Sequence, residues 1–189
     1  MTIQHKLIAD ADLHEPKGIA SAVAGKVYVS DGAGTGNWLY PSGKVHGEIY
    51  IDAGATTQTL SAGSAYSKLN PGTEWASGVS SVLTLTPANG TITLAETGTY
   101  LVNFWSNFTC AALASGTGYH FKYNIEGTNS TRTITVQKFS NGTDKLHVSA
   151  LGLVTATAGQ NLSIYVAGDA TSSSTNITVL EAGLTAVKL

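Results

Sequence analysis

Residues 91–110, TITLAETGTYLVNFWSNFTC, alternate apolar and polar side chains on either side of the short turn Glu96-Thr97-Gly98. Period two is the mark of a β-strand, because successive side chains point to opposite faces. In the longer run Tyr100, Val102, Phe104, Phe108 and Cys110 share one phase and are expected to face a core. Leu101, Asn103, Trp105, Asn107 and Thr109 share the other. Leu101 and Trp105 are out of place on a strand with one wet face. Apolar residues on both faces call for two partners, the protein's own core and another surface. This stretch predicts an oligomeric β-sandwich.

The same period recurs from residue 46 onward. Strands are expected at Glu48–Ile51, Val82–Leu85, Thr91–Leu94, Thr99–Ala111, Tyr119–Ile125, Arg132–Phe139, Lys145–Ala156, Asn161–Val166, Asn176–Leu180 and Leu184–Leu189. Asn89-Gly90 and Asn141-Gly142 between them are hairpin signals. The run from Lys145 carries apolar residues on both phases, Leu146, Val148 and Val154 against Leu151 and Leu153. About eight to ten short strands with no amphipathic helix give an all-β fold, a sandwich or barrel.

Residues 1–45 break the pattern. They mix charges with few apolar residues; Lys26–Ser30 reads as one brief strand, and Trp38, Leu39 and Tyr40 form a bulky cluster before Pro41. A segment of this length with so small an apolar content does not build its own core. An arm at 1–45 followed by a β domain at 46–189 is the expected organisation.

Composition sharpens this. Charged residues make up 12% of the 189, about half the ~25% usual in globular proteins, as expected where copies of the chain cover part of its surface. A net charge of −2 offers no electrostatic case for nucleic acid or anionic membrane. Cys110 is the single cysteine, so neither an intrachain disulfide nor a thiolate zinc cluster can form. The opening residues lack the pattern of a signal peptide and no run suggests membrane insertion, so folding in the cytoplasm is expected. The Asn-x-Ser/Thr sequons then read as by-products of a Thr-rich composition.

Candidate chemistry is sparse. Gly32-Ala-Gly-Thr-Gly36 follows a short strand, but Asn37 stands where a dinucleotide fingerprint needs glycine and Pro41 cuts off the helix. His5, His14, His46, His120 and His147 form no metal-ligand motif; only a threefold axis could bring copies of His120 or His147 together. No nucleophile elbow occurs, and eight acidic residues follow residue 45. No enzyme and no cofactor is expected.

Gly98-Thr-Tyr100 opening a long aromatic strand resembles the G-x-Y strand of the tumour necrosis factor and complement globular-head jelly rolls. Thr157-Ala-Gly159-Gln-Asn161 before Leu162–Val166, and the closing Ala182–Leu189, are similar to later strands of the same families. Gln160-Asn161 stands where those families carry Asp. The resemblance covers about residues 47–189 and implies a ten-stranded jelly roll packed as a homotrimer. Its interface would use Leu101, Trp105 and Tyr165, with Leu151 and Leu153. Separately, Asp12–Gly18, Ala24–Val29 and Asp31–Trp38 resemble the N-terminal arms of tailed-phage fibre and head-decoration proteins. That likeness implies a virion structural protein, its arm anchored to the major capsid protein or another virion protein through Leu13, His14, Pro16, Tyr28, Trp38 and Tyr40. The alternative is a fibre adhesin that binds a host-surface glycan or receptor through the distal loops Ala114–Gly118 and Thr171–Thr175. A cellular ligand or lectin of the complement-head type is the third reading.

Overall fold

The computed structural model describes residues 24–30, 36–60, 65–69, 73–110, 117–139, 143–169 and 175–189. The chain divides into two compact units, one ending at Pro41 and the other beginning at Ser42. The second unit starts ahead of residue 46 because its first residues already belong to the body: Gly43 N–H donates to Lys188 O (3.2 Å) and Lys188 N–H to Val45 O (2.9 Å).

In the first unit, β1 (Val27–Ser30) and β2 (Gly36–Leu39) form an antiparallel hairpin with Tyr28 opposite Trp38. Their rings meet edge to face at 5.5 Å, the geometry that the ring quadrupole favours. Lys26 Nζ sits 5.1 Å from the centre of the Tyr40 ring.

Among the described residues of the second unit, the regular elements are strands and one 3-10 turn, Pro87–Asn89. In chain order the strands are β3 (His46–Ile51), β4 (Thr57–Leu60), β5 (Ser67–Lys68), β6 (Trp75–Ser81), β7 (Thr84–Thr86), β8 (Thr91–Thr93), β9 (Gly98–Cys110), β10 (Gly118–Ile125), β11 (Thr128–Asn129), β12 (Ile134–Gln137), β13 (Asp144–Ala156), β14 (Asn161–Gly168) and β15 (Thr175–Lys188). One sheet runs β13-β9-β15-β3-β6, with β4 also paired to β15. The other runs β11-β10-β14-β8-β7, with β12 on β10 and β5 on β14. All pairings are antiparallel.

The core lies between the sheets. Tyr100, Val102, Phe104, Phe108 and Cys110 of β9 are fully buried, and Tyr119, Phe121, Leu162, Ile164 and Val166 meet them from the opposite sheet. Phe121 contacts Phe104 at 5.7 Å and Phe108 at 5.5 Å. Each such side chain contributes about 1.5–3 kcal/mol on burial, so the inward phase of β9 is a principal source of stability. Tyr123 spans the layers: its hydroxyl donates to Ala150 O at 2.8 Å, and burial pushes the phenol up to about 12. Gly152 leaves room for its ring, since a Cβ there would meet Tyr123 Cε2 at 2.9 Å.

Three sequence expectations change. Polar residues between Ile51 and Val82 form β4, β5 and β6, strands whose outer positions are wet and therefore carry little apolar alternation. Val82 does not begin a strand; at φ 73° it turns a corner between β6 and β7. The two expected closing strands are one, β15, with a bulge between Val179 and Glu181. The extra residue there shifts the alternation by one and mimics a chain break.

Candidate functional site

The outward phase of β9 builds the most unusual surface of the second unit. Strand register places Leu153, Leu101, Val187 and His46 in one row across the sheet, on β13, β9, β15 and β3. Leu151, Asn103, Thr185 and Glu48 follow in the next row, then Ser149, Trp105, Gly183 and Tyr50. Leu151 and Leu153 are 67% and 61% exposed, and Tyr50 is exposed as well. Leu101, Trp105 and Val187 are half-buried. Leu101 and Trp105 flank Asn103 along β9, while on β13 the adjacent Leu153 and Leu151 are followed by Ser149, so the apolar band is interrupted by Asn103 on one strand and ends at Ser149 on the other.

A polar chain borders this band. Asn107 Nδ2 donates to Glu181 Oε2 at 2.7 Å, which leaves the amide oxygen as acceptor for His147 Nδ1, 2.8 Å away. The three side chains thus join β15, β9 and β13 in a line on the outer face. They edge a shallow groove of about 350 Å³ that also touches Lys145, Leu146 and Leu180, next to the β15 bulge.

Leu101, Trp105, Leu151 and Leu153 therefore lie together on one sheet face. Tyr165 does not join them. It sits on β14, opposite Lys122 of β10, on the outer face of the other sheet and a full sandwich thickness away. The sequence phase put it outside the core without telling which outside. His120 and His147 are separated in the same way; His120 Nδ1 lies 3.0 Å from Thr135 Oγ1 on the seven-stranded sheet. Among the described residues no group of three or more His, Cys, Asp or Glu side chains could hold a metal ion. Cys110 is buried with a free thiol. No helix among the described residues is long and apolar enough to cross a membrane.

Of the arm residues singled out from the sequence, Tyr28 and Trp38 form the cross-strand pair of the hairpin and Tyr40 faces Lys26. Leu13, His14 and Pro16 lie outside the described residues, as do most of the two distal loops.

No family model matches the chain, and no curated protein matches its sequence. Solved structures do. The Eiger TNF of S. frugiperda superposes with a TM-score of 0.50 at 14% identity, over 77% of this chain and 93% of that one. The globular domain of the zebrafish complement 1qA protein gives 0.48 at 11%, over 77% and 97%, and murine APRIL at pH 8.5 gives 0.45 at 12%, over 76% and 99%. The first of these carries the fold assignment. The β domain is a jelly-roll sandwich of the kind that the tumour necrosis factor likeness of Gly98-Thr-Tyr100 implied.

Proposed function

We propose that the protein is a structural module of a phage virion, a homotrimer that decorates the capsid and is fastened to it by its N-terminal unit. The observation that carries the assembly is the outward apolar band of Leu101, Trp105, Leu151 and Leu153. Two leucines more than three-fifths exposed on adjacent rows with a half-buried tryptophan form a patch that a monomer has reason to avoid. Covering each leucine is worth about 1.5–3 kcal/mol. Copies of the same sheet face meeting around a symmetry axis satisfy the band without a second protein.

The attachment reading rests on the separate N-terminal unit and on the likeness of residues 12–38 to phage arms. Three arms on one trimer act as a multivalent clamp, so weak contacts from each give a durable hold. The test is removal of residues 1–45, followed by light scattering and by co-sedimentation with virions that lack the protein. The truncated chain is expected to remain trimeric and to lose attachment. Retained attachment sinks the arm as anchor; a monomeric full-length parent sinks the trimer.

A further inference from the structure

On the face opposite the apolar band, the seven-stranded sheet has a polar hollow of about 230 Å³, below the ~300–1,000 Å³ of pockets that enclose drug-sized ligands. Its origin is a strand junction. The edge of β14 pairs with β8 at Asn161 and Leu162 but with β5 at Tyr165 and Val166, so the sheet changes partner beside Ser163. Lys68, Thr91, Glu126, Asn161, Ser163 and Tyr165 line the opening. Ser163 and Thr91 are only 3% and 6% exposed. Neither hydroxyl has a hydrogen-bond partner among the described residues, and the same holds for Lys68 Nζ and the Tyr165 hydroxyl. These polar atoms are not sealed from solvent, so each opens into the hollow, where it can bond water or a ligand that takes the water's place.

The surrounding groups are already fixed. Asn124, 1% exposed, uses its amide on Asn129 Oδ1 at 2.8 Å and accepts from Gly127 N–H at 2.9 Å. This clamps the tight turn Glu126-Gly127, whose φ values are 45° and 82°. Glu126 Oε2 in turn accepts from Asn161 N–H at 2.8 Å and from Asn161 Nδ2 at 3.1 Å. Asn161 Oδ1 takes the Thr93 hydroxyl at 2.7 Å. One carboxylate oxygen therefore orients Glu126 and the other is left for a ligand.

We propose that this hollow binds a single hexose or N-acetylhexosamine residue at the end of a glycan. A pyranose presents a compact set of hydroxyls, each both donor and acceptor, around an apolar ring edge. The hollow offers what that pattern needs: carboxylate acceptor at Glu126, ammonium donor at Lys68, and the hydroxyls of Ser163, Thr91 and Tyr165, which serve in either sense. Lysine and glutamate on one rim leave it without the one-sided charge that an anion site requires. The buried floor and the carboxylate held by Asn161 mean that little ordering accompanies binding. The proposal stands apart from the trimer, whose apolar band lies on the other sheet.

The test is titration of the ¹⁵N-labelled full chain with the methyl glycosides of glucose, galactose, mannose and N-acetylglucosamine, and with inorganic phosphate, followed by backbone amide shifts. At least one sugar is expected to move the amides of Gly127, Asn161, Ser163 and Tyr165 saturably. Loss of one hydrogen bond by Glu126→Gln or Ser163→Val should weaken that binding a few-fold to about tenfold. Lys68→Met, on the rim, gives the same reading where the buried change disturbs folding. The proposal is overturned if no sugar shifts these amides, if phosphate alone does, if the shifts map elsewhere, or if Lys68→Met and Glu126→Gln bind as the parent does.

Discussion

Trp105 closes over Gly183: on the neighbouring strand of the six-stranded sheet, a Cβ at that glycine would lie 2.8 Å from the indole Cε2 and closer still to Nε1. The half-buried state of Trp105 thus depends on a missing side chain one strand away. Gly183→Ala must push the indole outward, toward the face proposed for assembly. Overpacking of this kind costs about 1–3 kcal/mol. The expected result is a lower midpoint in thermal denaturation and a weaker trimer by sedimentation velocity, whereas an unchanged midpoint would mean that the indole swings aside freely.

Leu151 and Leu153 separate assembly from folding. Both project from β13 into solvent in the isolated chain, so changing them to aspartate should alter the stability of a monomer by no more than about 0.5 kcal/mol. In a trimer packed on this face the double variant Leu151→Asp/Leu153→Asp places charges in the interface. Analytical ultracentrifugation should then find a folded monomer with native circular dichroism. A trimer that persists at low concentration would move the interface elsewhere.

Lys188, near the end of β15, makes an ion pair with Glu96 at 2.5 Å, with side-chain exposures of 10% and 12%. Tyr100 holds the same loop, its hydroxyl donating to Glu96 O at 2.7 Å. Removing one member leaves a largely desolvated charge, so Lys188→Met should cost about 3 kcal/mol or more. The double change Lys188→Met/Glu96→Gln should recover a good part of that loss, since no orphan charge remains. Chemical denaturation of the two singles and the double closes the cycle; additive losses would show that the pair does not couple.

Glu74 ties the segment after β3 to the start of β6. Burial works to raise its pKa, but the Ala55 and Thr56 amides and the Thr56 hydroxyl, at 2.6, 2.8 and 3.0 Å, together hold it below the usual 4.5. A carboxylate with a depressed folded-state pKa stabilises at pH above its unfolded value, and that contribution is lost as pH falls through the folded one. The parent should therefore lose more stability than Glu74→Gln on going from pH 6 to below about 4. Urea melts at several pH values measure the difference, and parallel pH profiles would remove Glu74 from the acid response.

Much of the fold was legible because period two is strong wherever one face is buried and the other is not. The inward phase of β9 and the two phases of β13 both read directly from residue order. What was not legible was long-range. Whether Tyr165 and Trp105 share a face depends on which sheet each strand joins, and alternation carries no information on that. The hollow beside Ser163 was hidden for the same reason, since it arises where β5 and β8 meet the same edge of β14. Asn124 and Ser163 are polar residues on outward phases, and alternation alone does not distinguish such positions from ordinary solvent-facing ones. Even β6 escaped notice, as its Ser- and Gly-rich sequence resembles a loop until β3 is placed beside it.

The place of β15 bears on how the protein is made. It lies between β9 and β3 in the middle of the six-stranded sheet, yet it is the latest of these strands to leave the ribosome. Until residues 175–188 emerge, β9 with β13 and β3 with β6 are separate ribbons, each with an unpaired edge. Closure of the sandwich thus awaits a segment more than a hundred residues downstream of β3, and such distant pairing is slow. The nascent chain passes through a sticky, half-built stage at high local concentration on polysomes, and that interval is when chaperone capture would matter most.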